Sequence, residues 1–368
     1  MKYLDEYRDP QAARQLVAAI RQRSTRTWRV MEICGGQTHT LIRSGIDRVL
    51  VEQVDPIHGP GCPVCVTPLE KIDRAREIAL REDVILATFG DMMRVPGSKG
   101  DLLRARAQGA DVRMVYSPTD ALKLAADHPH KQVVFFGVGF ETTAPANAMA
   151  LWLARQQDIA NFSVLVSHVR VPPAVEAILQ DPECQVEGFI APGHVCTIMG
   201  CGEYEELTER YGVPFVVAGF EPLDLLKGLL TLVTLLEEGR AEVVNEYGRS
   251  VRPRGNEKAQ EILNQVMKVG DVPWRGLGVL PGGGLVLREE FALFDAEKRF
   301  PAIEPPTEEP SECIAAQVLQ GKKKPHQCAA FGKACTPTHP LGAPMVSSEG
   351  ACAAYYSYQR YEEASHAL

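Results

Sequence analysis

The ten residues Gly59-Pro60-Gly61-Cys62-Pro63-Val64-Cys65-Val66-Thr67-Pro68 carry two thiols, three prolines and two glycines. Proline fixes φ and removes N–H donors, while glycine lets backbone or a ligand come close, so the two sulfurs are held in a preset geometry. A Cys-x-x-Cys pair serves as half of a zinc site or as a dithiol–disulfide couple. Zinc would need a second ligand pair at short spacing, and the candidate, Cys196-x4-Cys201, lies far downstream. Redox chemistry or transient metal handling is the better reading.

Three further turns follow apolar runs. Cys34 ends Val30-Met31-Glu32-Ile33 and precedes Gly35-Gly36-Gln37-Thr38-His39. A thiol between a strand end and a helix start meets amide donors and the positive end of the helix dipole, which favour thiolate; a small buried cysteine is the plain alternative. His39 alone reads more readily as a hydrogen-bonded structural residue than as a ligand. Glu141, Thr142 and Thr143 follow Gly137-Val138-Gly139-Phe140 and read as a helix entry with a carboxylate near the dipole. His194, after Ala191-Pro192-Gly193, is placed either to donate a proton or hydrogen bond into a crevice or to brace its own turn. The Gly-x-Gly here lacks the third glycine and downstream acid of a dinucleotide fingerprint. Finally, Cys313, Cys328, Cys335 and Cys352 are spaced C-x14-C-x6-C-x16-C. Four thiols without a short paired knuckle suit an iron–sulfur cluster better than a zinc ribbon. Lys322, Lys323 and Lys324 lie inside the quartet, to offset a cluster's charge or simply as a solvated turn.

The elements that position these residues read as α/β. A helix is expected from Asp9 as N-cap and Pro10, with Leu16, Val17 and Ile20 on one face. Strands are expected at Val30–Ile33, Val49–Val54, Val84–Thr88, Val112–Tyr116, Val133–Val138, Val164–Ser167, Phe189–Ala191 and Phe215–Ala218, separated by helical stretches. That alternation predicts two doubly wound parallel-sheet domains, 27–117 with Cys34 and the Cys62/Cys65 loop and 118–222 with Glu141 and His194, breaking near Ser117-Pro118. Ligands bind at the carboxyl ends of such strands. Residues 1–26 and 223–368 are expected to form a third, irregular and mainly helical domain around the quartet. Pro301–Pro310 reads as a linker. The tripeptide Gly139-Phe140-Glu141 is echoed by Gly219-Phe220-Glu221.

The 39 Lys and Arg against 47 Asp and Glu, net charge −8, argue against a nucleic-acid partner. The first residues are too charged for a signal peptide, and Leu225–Leu236 is too short to span a bilayer, so a cytoplasmic protein with no membrane contact is expected. Ten cysteines in a reducing compartment read first as metal ligands or redox thiols.

Taken in order, the chain resembles the HypD family of NiFe-hydrogenase maturation factors over nearly its whole length. The resemblance rests on Cys-Gly-Gly-x-Thr-His at 34–39, Gly-Pro-Gly-Cys-Pro-Val-Cys at 59–65, Phe-Gly-Asp-x-Met-Arg-Val-Pro-Gly at 89–97, Gly-Phe-Glu-Thr-Thr at 139–143, Ala-Pro-Gly-His-Val at 191–195 and the quartet ending in Ser-Ser-Glu-Gly-Ala-Cys at 347–352. It implies a scaffold, rather than an enzyme, on which the Fe(CN)2CO group is assembled in complex with HypC. HypE with HypF would deliver cyanide, and the hydrogenase large subunit precursor would be served indirectly. By the same resemblance Cys34 is the iron-binding thiolate with His39 nearby, and Cys62 and Cys65 are a redox-active dithiol. Cys313, Cys328, Cys335 and Cys352 hold a 4Fe-4S cluster, while Gly35, Gly36, Glu141, Thr142, Thr143 and His194 line the cleft. Gln37 stands where the family often has histidine, and Cys196 and Cys201 lie outside its recurring thiols. The competing readings are an iron–sulfur-dependent protein disulfide reductase acting through Cys62/Cys65, and a protein in which the quartet merely staples the C-terminal part.

Overall fold

A computed structural model describes residues 5–302 and 312–358; most of the expected linker at Pro301–Pro310 lies outside the described residues. Eleven strands form two sheets. The first runs in the order β2 (Val54–His58), β1 (Trp28–Glu32), β7 (Gly188–Pro192), β8 (Phe215–Ala218), β9 (Val243–Asn245) and is parallel throughout. In the second, β6 (Phe162–Val169), β5 (Gln132–Gly139), β3 (Val84–Thr88) and β4 (Asp111–Met114) are parallel neighbours, and the hairpin of β10 (Met267–Trp274) and β11 (Gly278–Leu287) adds antiparallel to β6. The central strands β3, β5 and β7 are near-continuous apolar runs buried on both faces, as parallel sheets covered by helices require.

Sheet membership does not follow the expected break at Ser117-Pro118. β1, with β2 on its outer edge, pairs with β7 and so joins strands from residues 188–245, and β3, with β4 on its outer edge, pairs with β5 and so joins strands from residues 132–169; the chain leaves the first sheet, builds the second and returns. Nor does the chain after 222 form one separate body. The leucine-rich helix Pro222–Glu237 buries Leu225, Leu226, Leu229 and Leu232 against the first sheet, and the helix Pro10–Arg23 packs on it through Ile20. The β10–β11 hairpin belongs to the second sheet. Only residues 312–358 are irregular, with short helical turns at Ala315–Leu319, Pro325–Gln327 and Ala343–Met345 and a closing helix Ala351–Tyr358.

Each sheet winds outward in both directions from one point. In the first, the chain moves from β1 to β2 on one side and from β7 to β8 and β9 on the other; in the second, from β3 to β4 and from β5 to β6. These reversals, between β1 and β7 and between β3 and β5, open a crevice at the carboxyl ends of the flanking strands.

Candidate functional site

Both crevices open into one cleft of about 550 Å³. Its wall takes Cys34 after β1, Gly61, Pro63 and Val64 after β2, Phe89 to Met92 after β3, Met114 and Tyr116 at and just beyond the end of β4, Phe140, Thr142 and Thr143 after β5 and His194 after β7. The motifs that sequence spacing singles out therefore meet because two switch points face each other. The two tripeptide echoes occupy matching turns, one on each sheet: Phe140 lines the cleft, and Phe220 stacks on His194 with ring centroids 3.7 Å apart.

Cys34 sits at the start of the helix Gly35–Arg43, with backbone bonds from Gly36 and Gln37 that favour thiolate. Burial and the carboxylate of Glu349 outweigh them and push the thiol up to about 12. Burial and Glu349 therefore oppose the thiolate that the helix start by itself favours. Glu349 reaches this position because Gly35 has no side chain; a Cβ there would fall 2.5 Å from that of Glu349. Gly36 likewise faces Phe220, and Gly61 lies against the Cys34 backbone. Gly35 and Gly36 are thus close-approach positions for protein groups.

Cys62 and Cys65 are joined as a disulfide, with Cα atoms 5.2 Å apart. Cys62 caps the short helix Pro63–Val66, its Sγ accepting the N–H of Cys65 at 3.2 Å. Both sulfurs are buried beneath Pro63 and Val64, which form the cleft surface. Residues Ala343–Met345, between the third and fourth quartet cysteines, pack on this helix.

Glu141 does not line the cleft. It lies buried behind Thr142 and Thr143, accepting the Val171 N–H at 2.9 Å, while its second oxygen has no partner. Burial raises its carboxyl to about 7. His194 stands exposed at the cleft mouth, and desolvation by its packing lowers its basicity. His39 points away from the cleft, its Nδ1 3.2 Å from the Ser348 carbonyl and its ring edge-on to Tyr358. Gln37 is wholly buried and donates to the carbonyls of Ala191 (3.1 Å) and Ala218 (3.0 Å), tying the Cys34 helix to the ends of β7 and β8.

The quartet comes from turns far apart in sequence, yet its members are neighbours: burial first, and then Cys313, Cys335 and Cys328, raise the pKa of Cys352, and burial with Cys335 and Cys328 raises that of Cys313. Leu341 N–H donates to Cys335 Sγ at 3.3 Å, and Gly342 faces Cys313 so closely that any Cβ would collide with the sulfur. Among the described residues no three His, Cys, Asp or Glu side chains converge on a single metal ion. A 4Fe-4S cluster does not require that, because each thiolate binds a different iron around a larger body. The donor set fits such a cluster. Lys322 is engaged with Asp181 (2.7 Å) and Glu183 (2.8 Å), and Lys324 with Asp55. The cation that lowers Cys313 is instead Arg275, buried in the β10–β11 turn, whose N–H donates to the Val66 carbonyl at 2.9 Å. Sequence reasoning missed Arg275 and Glu349; neither lies at a spacing that signals chemistry.

Comparison with known proteins places the chain. Residues 11–359 match the HypD family, described as the hydrogenase formation hypA family. The chain is 51% identical over 375 residues to the hydrogenase expression/formation protein HupD of Azotobacter chroococcum, covering 99% of each. It is 50% identical to the hydrogenase maturation factor HypD of Azotobacter vinelandii, covering 99% of this chain and 98% of the relative. Against HypD of Escherichia coli K12 the identity is 47%, over 98% of this chain and 99% of that one. With a family match over residues 11–359 and identities of 47–51% over nearly the full length of these relatives, this chain belongs to the HypD family of hydrogenase maturation factors.

Proposed function

We propose that the cleft is where the iron group of a NiFe hydrogenase is assembled, with Cys34 as the protein's thiolate ligand to the iron cargo and a second thiolate supplied by a HypC-type partner closing the cleft mouth. The observation that carries this reading is the convergence of the turns after β1, β3, β5 and β7 on Cys34. Iron bearing cyanide and carbonyl is electron-rich and takes few protein ligands, soft ones above all, with positions left open. One thiol in a cleft walled by Val64, Phe89, Met92 and Phe140 meets that need, and exclusion of water follows once a partner covers it.

The chain's own groups divide the work. Cys34 gives up its proton as iron binds, with the carboxylate of Glu349 beside it to receive that proton. Thr142 and Thr143 present hydroxyls, and His194 an imidazole, to incoming diatomics or their carriers. The Cys62–Cys65 pair stores two electrons when reduced and takes up two protons with them. Cys313, Cys328, Cys335 and Cys352 would hold a 4Fe-4S cluster, which supplies one-electron transfer when bound. Cyanide delivery by HypE with HypF and a cytoplasmic setting belong to the same reading; no helix among the described residues is long and apolar enough to cross a membrane.

A protein disulfide reductase is less well supported, because Cys62 and Cys65 are 3% and 0% exposed and offer no accessible sulfur to a protein substrate. Infrared spectroscopy of the anaerobically purified complex with a HypC-type partner tests the scaffold. Cyanide and carbonyl stretching bands are expected in the native chain and lost in Cys34→Ala. A competent complex without bands, or bands unchanged in the variant, would overturn the assignment.

A further inference from the structure

The Cys62–Cys65 disulfide is not the only pair of cysteines whose sulfurs meet. Cys196 belongs to the helix Gly193–Met199, the one that carries His194 into the cleft, and Cys201 is the residue on which the next helix, Gly202–Tyr211, begins. The two helices join at Gly200, in the left-handed region with φ 81° and lodged against the Pro253 carbonyl, where a side chain has no room. Cys201 N–H donates to that same carbonyl at 3.4 Å, and Gly200 N–H to Cys196 O at 2.9 Å. The joint is therefore pinned, and it presents the two side chains to each other: the thiol of Cys196 hydrogen-bonds the sulfur of Cys201. Both are buried, in the same apolar cluster as Cys62 and Cys65.

The two sulfurs are not equivalent. Cys196 is fully enclosed and keeps its proton, which it donates to Cys201. Cys201, at the amino end of a helix of ten residues and accepting that bond, is shifted toward thiolate. One thiolate-prone sulfur at a helix start, next to a protonated buried partner, is the arrangement in which a dithiol exchanges with a disulfide. Nothing in the assembly chemistry above uses it.

We infer that Cys196 and Cys201 are a second dithiol–disulfide couple, set behind the cleft in the apolar cluster that also holds Cys62 and Cys65. On oxidation the two S–H bonds break, one S–S bond forms between Cys196 and Cys201, and two electrons and two protons leave. The acceptor is a disulfide, whose S–S bond breaks and which takes up those electrons and protons as two thiols. Within the chain that acceptor is Cys62–Cys65; outside it, any small-molecule disulfide serves. The couple would hold a two-electron reserve in the same fold as the pair it replenishes, and its closure would staple the helix bearing His194 to its neighbour. The inference does not depend on the iron-assembly reading, since it concerns only these sulfurs and their joint.

Arg170 and Arg210 bound a tryptic peptide that carries Cys184, Cys196 and Cys201, so one fragment reports the state of the pair. The full chain is first reduced anaerobically, then equilibrated with glutathione buffers of rising oxidised fraction, quenched with acid, alkylated after denaturation and digested. The expected result is that the peptide goes from three alkyl groups to one, with an internal disulfide, and that in Cys184→Ser the linked form persists while in Cys201→Ser it disappears. A peptide that still carries three alkyl groups in the buffer that closes Cys62–Cys65 overturns the inference. So does a linked form that survives Cys201→Ser and vanishes in Cys184→Ser. The native-chain titration decides the matter even where a variant folds poorly.

Discussion

Glu141 gives the sharpest physical test of the cleft's second wall. Its carboxyl is buried, one oxygen accepts the Val171 N–H and the other has no partner, and burial lifts its pKa from 4.5 to about 7. The folded state therefore binds this proton more tightly than the unfolded chain does. By linkage, the stability it contributes is fully present below pH 4.5 and is lost as pH rises through about 7. Taken between those two values, the folded state should be roughly 2–3 kcal/mol less stable at pH 8 than at pH 5 on account of this one group. Glu141→Gln keeps an oxygen for the Val171 N–H and removes the titration. The assay is guanidinium unfolding of both proteins at each pH, followed by tryptophan emission; Trp274 lies beside Phe140 with ring centroids 6.0 Å apart and reports this wall. Taking the difference between the two proteins cancels every other titrating group. The variant should gain on the parent by roughly 2–3 kcal/mol from pH 5 to pH 8. If the two curves instead run parallel across that range, Glu141 is ionised in the folded state and the desolvation argument fails.

Two further outcomes are expected. His168, buried with its Nε2 accepting the Asn147 amide at 3.2 Å, is pushed down to about 4, so its share of stability is present above pH 6.5 and lost as pH falls through 4. His168→Gln should remove roughly 2–3 kcal/mol of the parent's acid destabilisation between pH 8 and pH 4.5, read as the difference in denaturant midpoints, and an equally steep acid loss in the variant would contradict this. Gly61→Ala would place a Cβ 2.5 Å from Cys34 Cα and the Ile33 carbonyl carbon, which are backbone and cannot swing aside. It should cost at least about 2 kcal/mol, whereas Gly202→Ala, with open space around it, should be neutral or slightly stabilising; equal melting temperatures for the two would refute the close-approach argument.

What could be read from sequence was local. Val84–Thr88 and Phe215–Ala218 are strands at their expected bounds, because β-branched and apolar runs of that length bounded by turns have few other uses. The run Val49–Val54 misled. Its first residue closes a short helix, and the strand is Val54–His58, which tolerates Pro56 because β2 lies at the sheet edge. The β10–β11 hairpin was hidden by Pro281-Gly282-Gly283-Gly284, which reads as loop but pairs where Gly284 lets the backbone of His168 come close. The interleaving of the two sheets has no local signature, since it depends on which distant strands pair. The motif turns were legible as chemistry, but the state of Cys34 was not: the helix start predicts a thiolate, and the carboxylate that opposes it arrives from residue 349.

The irregular C-terminal segment is more than an appendage to the cleft, because a buried chain of hydrogen bonds runs from it to the Cys34 turn. Tyr355 lies in the same helix as Cys352, and its hydroxyl stands 3.0 Å from His58 Nε2. His58 Nδ1 bonds Glu32, and Thr38 donates to the same Glu32 oxygen at 2.6 Å. His58 thus bridges the two sides, with Nδ1 on the Glu32 carboxyl and Nε2 on the Tyr355 hydroxyl. Glu32 and His58 end neighbouring strands, and Thr38 lies one turn into the helix that Cys34 begins. Each of these groups is buried, so losing one partner strands another without water to replace it. A group bound by Cys352 would order the helix that carries it. Through Tyr355 that order reaches the strand ends that aim Cys34, and Glu349, three residues before Cys352, bears directly on its thiol.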